Sequence, residues 1–279
     1  MIAIEPIAPA EPVAVPAKPR RRTKVELLET VSASRLNTWL ACRLKFRFRY
    51  VDGLVKPNTA ARHTGTVVHA VLQQWNLARW RRVPLDTDAV EALFEQAWAL
   101  PDDLNIAWDN DAPEAAAKAA ALGLVEMYFR DTPIPPDEKP EAVEVSVEMD
   151  LSSHGLPRLI GIIDLVRAGG RIVDFKTTGK TPDNAMALHS NGLQLTAYAL
   201  LYRDATGRKE SAMELHHLIK TKTPKLVITE RGLATEQEEA RFYRLVESYV
   251  HGLESEDYVP SPGLHCAGCE FFNECRGWH

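Results

Sequence analysis

The stretch GIIDLVRAGGRIVDFK, residues 161–176, decides the fold of this chain. Two runs of branched apolar residues flank Gly169-Gly170, a pair typical of a tight turn, so the stretch predicts a β-hairpin. Each run carries one carboxylate, Asp164 and Asp174, ten positions apart across the turn. Because neighbouring antiparallel strands lie close together, both carboxylates are expected to reach a single ion.

Asp174 and Lys176 are two positions apart and therefore point to the same face of their strand. The hairpin thus gathers two acids and an ammonium group around one point. Carboxylate oxygens suit a hard cation such as Mg²⁺ or Mn²⁺, which can activate water and neutralise charge on a phosphoryl oxygen. A lysine beside the ion can orient that water or stabilise the transition state. For a bare Asp-x-Lys, a structural ion pair at a strand end is the alternative interpretation.

The sequence on both sides of the hairpin predicts further strands and helices. Period-two or apolar strand patterns cover residues 143–148, 159–166, 171–176, 213–220 and 226–229. Helical spacing covers 32–50, a stretch that starts after Gly65 and runs to 75, and then 87–100, 113–130, 192–202 and 236–252. These elements predict an α/β fold with a mixed sheet of about four to five strands flanked by helices. The helices between residues 64 and 130 are expected to cover the cleft.

Length and composition bound the class of protein. The chain has 279 residues, of which 45% are hydrophobic and 25% charged, and its formal net charge is -5. It can bury a sizeable core, and no stretch approaches the roughly 18 apolar residues of a membrane span. The negative balance argues against coating nucleic acid by bulk charge, so any such contact would be local. Five prolines within the first 19 residues predict a flexible tail over 1–30. This tail does not have the pattern of a signal peptide. We therefore expect a cytoplasmic protein with no membrane partner.

Five motifs, in the same order along the chain, resemble the PD-(D/E)XK nuclease superfamily, and within it the RecB-like exonuclease branch. That branch includes the nuclease domains of AddAB helicase–nucleases and the CRISPR-associated adaptation nucleases. The motifs are SASRLNTWLACRLKFRFRY (32–50), the G-x-x-x-H of Gly65–His69, GIIDLV, IVDFKTT and the Q-x-x-x-Y of Gln194–Tyr198. The resemblance is weakest over 80–140. It implies a restriction-endonuclease-like core over 31–279 with a helical insertion at about 80–140.

The same resemblance assigns roles to individual residues. It implies four metal ligands, namely His69, Asp164, Asp174 and the carbonyl group of Phe175. Lys176 would be the catalytic lysine. Gln194 and Tyr198 lie four apart on one helix face and would project toward the site, although packing of the helix on the sheet is the alternative. Glu144 or Glu148 could act as an outer acid, and an exposed strand face explains them equally well.

Four cysteines form a one-plus-three pattern, with Cys42 near the first motif and Cys266, Cys269 and Cys275 near the other end. In a reducing compartment such thiols are more often ligands than disulfides. Four thiolates would complete a Zn²⁺ site or an iron–sulfur cluster. The branch named above includes members that hold a [4Fe–4S] cluster with this pattern, so the resemblance favours iron–sulfur and a cluster-binding end at 260–279. His265 and His279 keep zinc open as the alternative.

The resulting hypothesis is a Mg²⁺- or Mn²⁺-dependent DNA exonuclease that acts on single strands or ends in repair or recombination, with a helicase or repair protein as partner. DNA contact is predicted on two helix flanks, Arg43 with Arg47 and Lys45 with Arg49. One alternative is a non-catalytic DNA-binding subunit that keeps the cluster, against which the intact acids and lysine argue. A zinc-stabilised interaction module is the other, and metal analysis separates it from both.

Overall fold

The computed structural model describes residues 21–83, 85–99, 106–108 and 113–278. Residues 1–20 of the predicted tail lie outside this part of the chain. Within the rest of that tail, helix α1 (Lys24–Glu29) begins at a capping box formed by Thr23 and Glu26, and the short strand β1 (Thr30–Val31) follows. Leu27 and Val31 are fully buried, so the folded part begins earlier than the sequence predicts.

The predicted helices and strands are found, most of them with ends shifted by a few residues and one of them broken. The helices that follow are α2 (Ala33–Ala41), α3 (Arg43–Phe46), α4 (Ala60–Arg81), α5 (Thr87–Trp98), α6 (Glu114–Asp131), α7 (Asn184–Thr206), α8 (Glu236–Glu254) and α9 (Phe272–Arg276). The strands are β2 (Asn58–Thr59), β3 (Ile106–Ala107), β4 (Ala142–Met149), β5 (Arg158–Arg167), β6 (Arg171–Thr178), β7 (Ala212–Ile219) and β8 (Lys225–Arg231). The hairpin of the opening stretch is β5–β6.

The helix predicted to run unbroken over 32–50 is interrupted at Cys42. This residue has an extended backbone (φ -166°, ψ 115°), ends α2, and accepts a hydrogen bond on Sγ from the Lys45 N–H as the N-cap of α3. The wider turns of a π-helix follow over Arg47–Val51. Trp39 and Phe46 are buried together in one hydrophobic core, whereas the break turns Cys42 toward a separate small cluster near the chain's other end.

Helix α4 begins at Ala60 behind the N-cap Thr59, not after Gly65 as predicted. Gly65 lies inside the helix, where a Cβ atom would come within 3.0 Å of Thr177 Oγ1 on β6. The glycine therefore permits a close approach of the helix to the sheet rather than starting the helix. One turn later, this approach brings His69 over the same strand.

Within the described ranges, six strands form one mixed sheet, which exceeds the expected four to five. Strand β5 pairs antiparallel with β4 and with β6, β6 pairs parallel with β7, and β7 pairs antiparallel with β8. Strand β1 pairs parallel with the first residues of β5. Helix α7 is the crossover that connects the parallel neighbours β6 and β7.

Two hydrophobic cores cover the two faces of this sheet. The first core packs α1, α2, α7 and α8 against one face, and the second packs α4, α5 and α6 against the other. The predicted insertion over 80–140 thus supplies α5 and α6 to the second core. This α/β arrangement, a mixed sheet flanked by helices, is consistent with the expected restriction-endonuclease-like core. No helix in the described ranges is long and apolar enough to cross a bilayer.

Candidate active site

The two predicted acids lie where strands β5 and β6 separate. Backbone pairing in the hairpin runs from Arg167↔Arg171 to Leu165↔Val173, one position before Asp164 and Asp174 would face each other. The Phe175 N–H donates instead to Asp164 Oδ2 at 2.9 Å. The carboxylate of Asp164 therefore takes the place of a backbone acceptor, and a cleft opens between the strands at this point.

Strand β4 is distorted directly opposite Asp164. Glu144 has φ 47°, a left-handed conformation that costs energy for a residue with a side chain. The register on either side continues unchanged, with Val143↔Leu165 before the distortion and Val145↔Ile163 after it. Val143 and Leu165 contact the second core, whereas Val145 and Ile163 contact the first core, so both strands change faces here. The predicted regular alternation of β4 is therefore wrong at Glu144, and such strain is typical of functional sites.

A hydrogen-bonded network surrounds the second acid, Asp174, which is only 2% exposed. Lys176 Nζ lies 2.7 Å from Asp174 Oδ2 and donates to Gln194 Oε1 at 2.9 Å. Gln194 Nε2 in turn donates to Asp174 Oδ1 at 2.9 Å and to the Tyr198 hydroxyl at 2.7 Å. Helix α7 thus brings both residues of the Q-x-x-x-Y motif to the Asp-x-Lys strand, as the sequence predicts.

His69 reaches the first acid from the opposite side of the cleft. Its Nδ1 lies 3.6 Å from Asp164 Oδ2, too long for a hydrogen bond, and its ring meets Phe175 edge-on with the centroids 6.0 Å apart. The His69 side chain is 36% exposed and that of Asp164 13%. An imidazole and a carboxylate therefore face the cleft together, one on α4 and the other on β5.

Burial and crowding of like charges shape the electrostatics of the cleft. Burial raises the pKa of Asp174 to about 6, against the opposing effect of the Lys176 ammonium, and the charge of Asp164 raises it further. Glu144 is exposed as a residue, but neighbouring atoms crowd its carboxyl group, and this desolvation, with the charge of Asp164, raises its pKa to about 7. The cleft therefore holds more negative charge than its own groups compensate, which favours a bound cation.

The carboxylates and the imidazole of the cleft are ligands that suit a hard divalent cation, although they do not lie close enough together to bind one as they stand. Asp174 Oδ2 is buried and, despite its contact with Lys176, makes no hydrogen bond of good geometry to any described residue. A carboxylate oxygen has two lone pairs, so the contact with Lys176 leaves one that a metal cation in the cleft can use. Across the same ranges, no three His, Cys, Asp or Glu side chains are grouped closely enough to bind a metal ion as they stand.

Comparison with known proteins identifies the family. The family model described as the PD-(D/E)XK nuclease superfamily matches residues 30–276. The chain belongs to the PD-(D/E)XK nuclease superfamily. The match spans the hairpin, α4 and α7, so the residues gathered around the cleft all lie within it. The prediction of a nuclease enzyme of this superfamily is confirmed at that level.

One solved structure agrees with the fold of this PD-(D/E)XK chain. A crystal structure of a protein from Eubacterium rectale, provisionally named an exonuclease, is similar with a TM-score of 0.56, 14% identity, and coverage of 92% of this chain and 91% of that one. The structure of SSO0001 has a TM-score of 0.37 at 15% identity, covering 84% of this chain and 91% of that one, and carries no weight here. No curated protein matches the sequence.

The raised pKa of Asp174 predicts how the metal-free nuclease responds to pH. Between about pH 4 and 6 the folded state holds a proton on this carboxyl that the unfolded state has lost, so this group lowers stability as pH rises. Buried His63, His216 and His217 act in the opposite direction, because burial lowers the pKa of each. We therefore expect Asp174→Asn to gain in melting temperature over the wild type, by about 5 °C, between pH 4 and pH 7.

Thermal melts of both proteins in EDTA, at half-unit pH steps, measure this difference directly. The histidine contributions are common to both proteins and cancel. A difference in melting temperature that stays constant with pH would show that the Asp174 carboxyl has an ordinary pKa.

His217 is a cleft residue that the sequence pattern does not single out. It lies beside Lys176 in the parallel register of β6 and β7, so the two side chains share a face. Its Nε2 is buried and without a hydrogen-bond partner in the described chain. Burial lowers the pKa of this imidazole, and the Lys176 charge lowers it further, so it is held neutral. His217 lies in the apolar stretch LHHLI, and nothing in this stretch except the histidine itself indicates a functional residue.

The structure brings the four cysteines of the one-plus-three pattern into one region. All are free and half-buried, and Cys42, Cys269 and Cys275 pack against the small cluster of Leu44, Phe48 and Phe271. Burial raises the pKa of the Cys275 thiol, and the other three cysteines raise it further, so all four lie within electrostatic range. As they stand, no three of these described thiols are grouped closely enough to bind a metal ion.

The two helix flanks predicted to bind DNA, together named the basic strip, are paired with carboxylates of the chain itself. Arg43 pairs with Asp257, Arg47 Nε lies 3.4 Å from Asp52 Oδ2, Lys45 Nζ lies 3.6 Å from Glu270 Oε1, and Arg49 also pairs with Glu270. Three of these four pairs join the first motif to the end of the chain. DNA binding through this strip remains a prediction, and it would have to compete with these internal partners.

Proposed function

We propose that the chain hydrolyses phosphodiester bonds of single-stranded DNA from an end, with the cleft between β5 and β6 as its active site. One observation carries the proposal: Asp174, Lys176, Gln194 and Tyr198 form a continuous network at the point where the strands separate. A structural ion pair needs no such opening. The network instead holds an acid and an ammonium group at the mouth of a cleft.

Each residue of the network has a distinct task in this proposal. Lys176 is 30% exposed in its side chain, so its ammonium group can contact a phosphate or a water molecule in the cleft and stabilise charge on the phosphoryl oxygens. Gln194 accepts from the lysine and donates to Asp174, and it thereby fixes the distance between them. Burial raises the pKa of Tyr198, which therefore stays a neutral phenol and anchors Gln194.

The carboxylates of Asp164 and Asp174, the imidazole of His69 and the carbonyl of Phe175 would hold Mg²⁺ or Mn²⁺. When bound, such an ion lowers the pKa of water and neutralises charge on the phosphoryl group. Hydrolysis joins the water oxygen to phosphorus as that water gives up a proton, and it breaks the bond to the leaving deoxyribose oxygen, which takes up a proton. Glu144, whose carboxyl is protonated in part near neutral pH, is the outer acid nearest to Asp164 in this scheme.

The preference for single strands and ends, and a role in repair or recombination beside a helicase or repair protein, come from the resemblance to the RecB-like branch. The provisional name of the Eubacterium rectale protein supports exonuclease action.

We further propose that Cys42, Cys266, Cys269 and Cys275 hold a [4Fe–4S] cluster with a structural role. Convergence of four free thiols from the two ends of the chain supports that assignment, and Zn²⁺ is the other metal that such a set could take.

An assay with end-labelled single- and double-stranded DNA, in Mg²⁺, Mn²⁺ and EDTA, tests the proposed activity. We expect release of short products from the labelled end of single strands with either metal, and none with EDTA. Internal fragments would indicate an endonuclease instead. DNA binding without cleavage in either metal would favour the non-catalytic subunit, and zinc in protein purified without oxygen would favour the zinc-stabilised module.

A further inference from the structure

The carboxyl ends of β6 and β7 meet at one edge of the sheet, just beyond the active-site lysine. Their parallel register pairs Lys176 with His217 and ends at Thr178 with Ile219. The Lys220 N–H then donates to the Thr178 carbonyl at 2.7 Å. Two residues of strand span about 7 Å, so this edge lies within one nucleotide or two of the cleft.

Four lysines occupy this edge and are here named the hairpin lysines: Lys180, Lys220, Lys222 and Lys225. Lys180 follows β6, Lys220 and Lys222 belong to the turn between β7 and β8, and Lys225 is the first residue of β8. Lys220 is half-buried and the others are exposed. None of the four has a carboxylate within ion-pair distance in the part of the chain that the structure describes. They differ in this from the basic strip, whose four cations are all paired.

The turn that carries these lysines is held in place. Thr221 Oγ1 donates to the Thr223 carbonyl at 2.6 Å, and the Lys180 N–H donates to Thr178 Oγ1 at 3.2 Å. Pro224 lies against α6, where a Cβ added at Gly123 would be 3.7 Å from its Cγ. The positive charges are therefore presented at a fixed place relative to the cleft and do not depend on a loose loop.

We propose that the hairpin lysines bind the phosphates of the nucleic-acid strand whose scissile bond lies at Lys176. The inference rests on the proposed nuclease function and adds the place where the substrate strand continues. The chain carries a net charge of -5, so attraction of a polyanion requires a local positive field. Four ammonium groups that have no carboxylate partner among the described residues lie on the same sheet edge as the catalytic lysine and supply that field.

The decisive variant replaces Lys220, Lys222 and Lys225 together by glutamine in the full chain. Each phosphate contact to a single strand contributes about 0.7 to the salt slope of the association constant, so we expect the slope to fall by about 2. The same loss corresponds to an affinity on the order of 10- to 50-fold weaker at 0.15 M salt. In steady-state cleavage with Mg²⁺, the loss should fall on KM far more than on kcat, because the altered groups lie outside the cleft.

The measurement is fluorescence anisotropy with a 20-nucleotide single-stranded DNA in EDTA, over a salt series, followed by cleavage kinetics. A matched control replaces three exposed cations on other surfaces, Lys209, Arg241 and Arg244, by glutamine, with the same change in net charge. A lysine-to-arginine triple at the hairpin should retain the wild-type slope.

The two proposals fail in different ways. If the wild type cleaves DNA while the hairpin triple keeps its affinity, salt slope and KM, the hairpin inference is wrong and the nuclease proposal stands. An equal loss in the control triple would also overturn the inference, because it would reduce the effect to net charge. If the wild type neither binds nor cleaves nucleic acid with Mg²⁺ or Mn²⁺, both proposals are wrong.

Discussion

Lys176→Ala is expected to lose DNA cleavage by a factor on the order of 10² or more while the protein stays folded. The lysine is the one ammonium group in direct contact with Asp174 among the described residues, and its side chain is partly open to the cleft. Asp174→Asn should cause a loss of similar size, because a neutral amide is a poor ligand for a hard cation. Neither change removes apolar packing, so the fold should survive.

Initial rates on end-labelled single-stranded DNA, with circular dichroism and thermal melts as the check on folding, measure this effect. Lys209→Ala is the matched control, since it removes an exposed lysine at the turn between α7 and β7, away from the cleft. Full activity in purified Lys176→Ala or Asp174→Asn would remove both residues from the mechanism and leave their network a structural one.

Cys42→Ala is expected to destabilise the protein severely and to abolish the brown colour of anaerobically purified material. Cys42 and Cys266 are 224 positions apart (266 − 42). A cross-link that closes a loop of this length constrains the unfolded chain by about 5 kcal/mol in the loop-entropy model, and a cluster should act on the same order. That is comparable with the whole stability of many domains, so easy proteolysis and poor DNA cleavage should follow.

Cys42 is also the N-cap of α3, and a second variant separates the two roles. Serine accepts a hydrogen bond at an N-cap but is a poor ligand for iron–sulfur, so Cys42→Ser keeps the cap and removes the thiolate. We expect Cys42→Ser to resemble Cys42→Ala in iron content, sulfide content and melting temperature. Unchanged melting and activity in both variants would show that no cross-link through Cys42 joins the two ends of the chain. Zinc in the anaerobically purified wild type would overturn only the assignment of the metal as iron–sulfur.

The hairpin and its acids were predictable because their signals are local. A Gly-Gly turn between two apolar runs fixes which residues of β5 and β6 face each other, and that register places Asp164 across from Asp174. The sequence does not show that pairing stops one position earlier. Beyond the opening, the first residues of β5 pair with β1, which comes from a distant part of the chain.

The mistaken or incomplete predictions share one physical cause, which is the influence of distant partners on local patterns. The apolar spacing around Cys42 favours a continuous helix. The helix is broken there instead, and Cys42 packs in a small cluster with residues near the end of the chain, such as Phe271. The basic strip is solvent-facing by its spacing, yet Glu270 and Asp257 neutralise three of its cations from more than 200 positions away. Glu144 gives no sign of a left-handed backbone, because nothing in its neighbours requires one.

The contact between α1 and α8 has a consequence for how a ribosome must make this protein. The Tyr249 hydroxyl donates to the Leu27 carbonyl at 3.0 Å, and both side chains are fully buried in the first core. Their separation of 222 residues takes on the order of 10 to 40 s to synthesise at ordinary elongation rates. During that interval the apolar faces of α1 and α2 lack the helix that completes their burial. The nascent chain therefore exposes these apolar faces until α8, in the last fifth of the chain, has emerged.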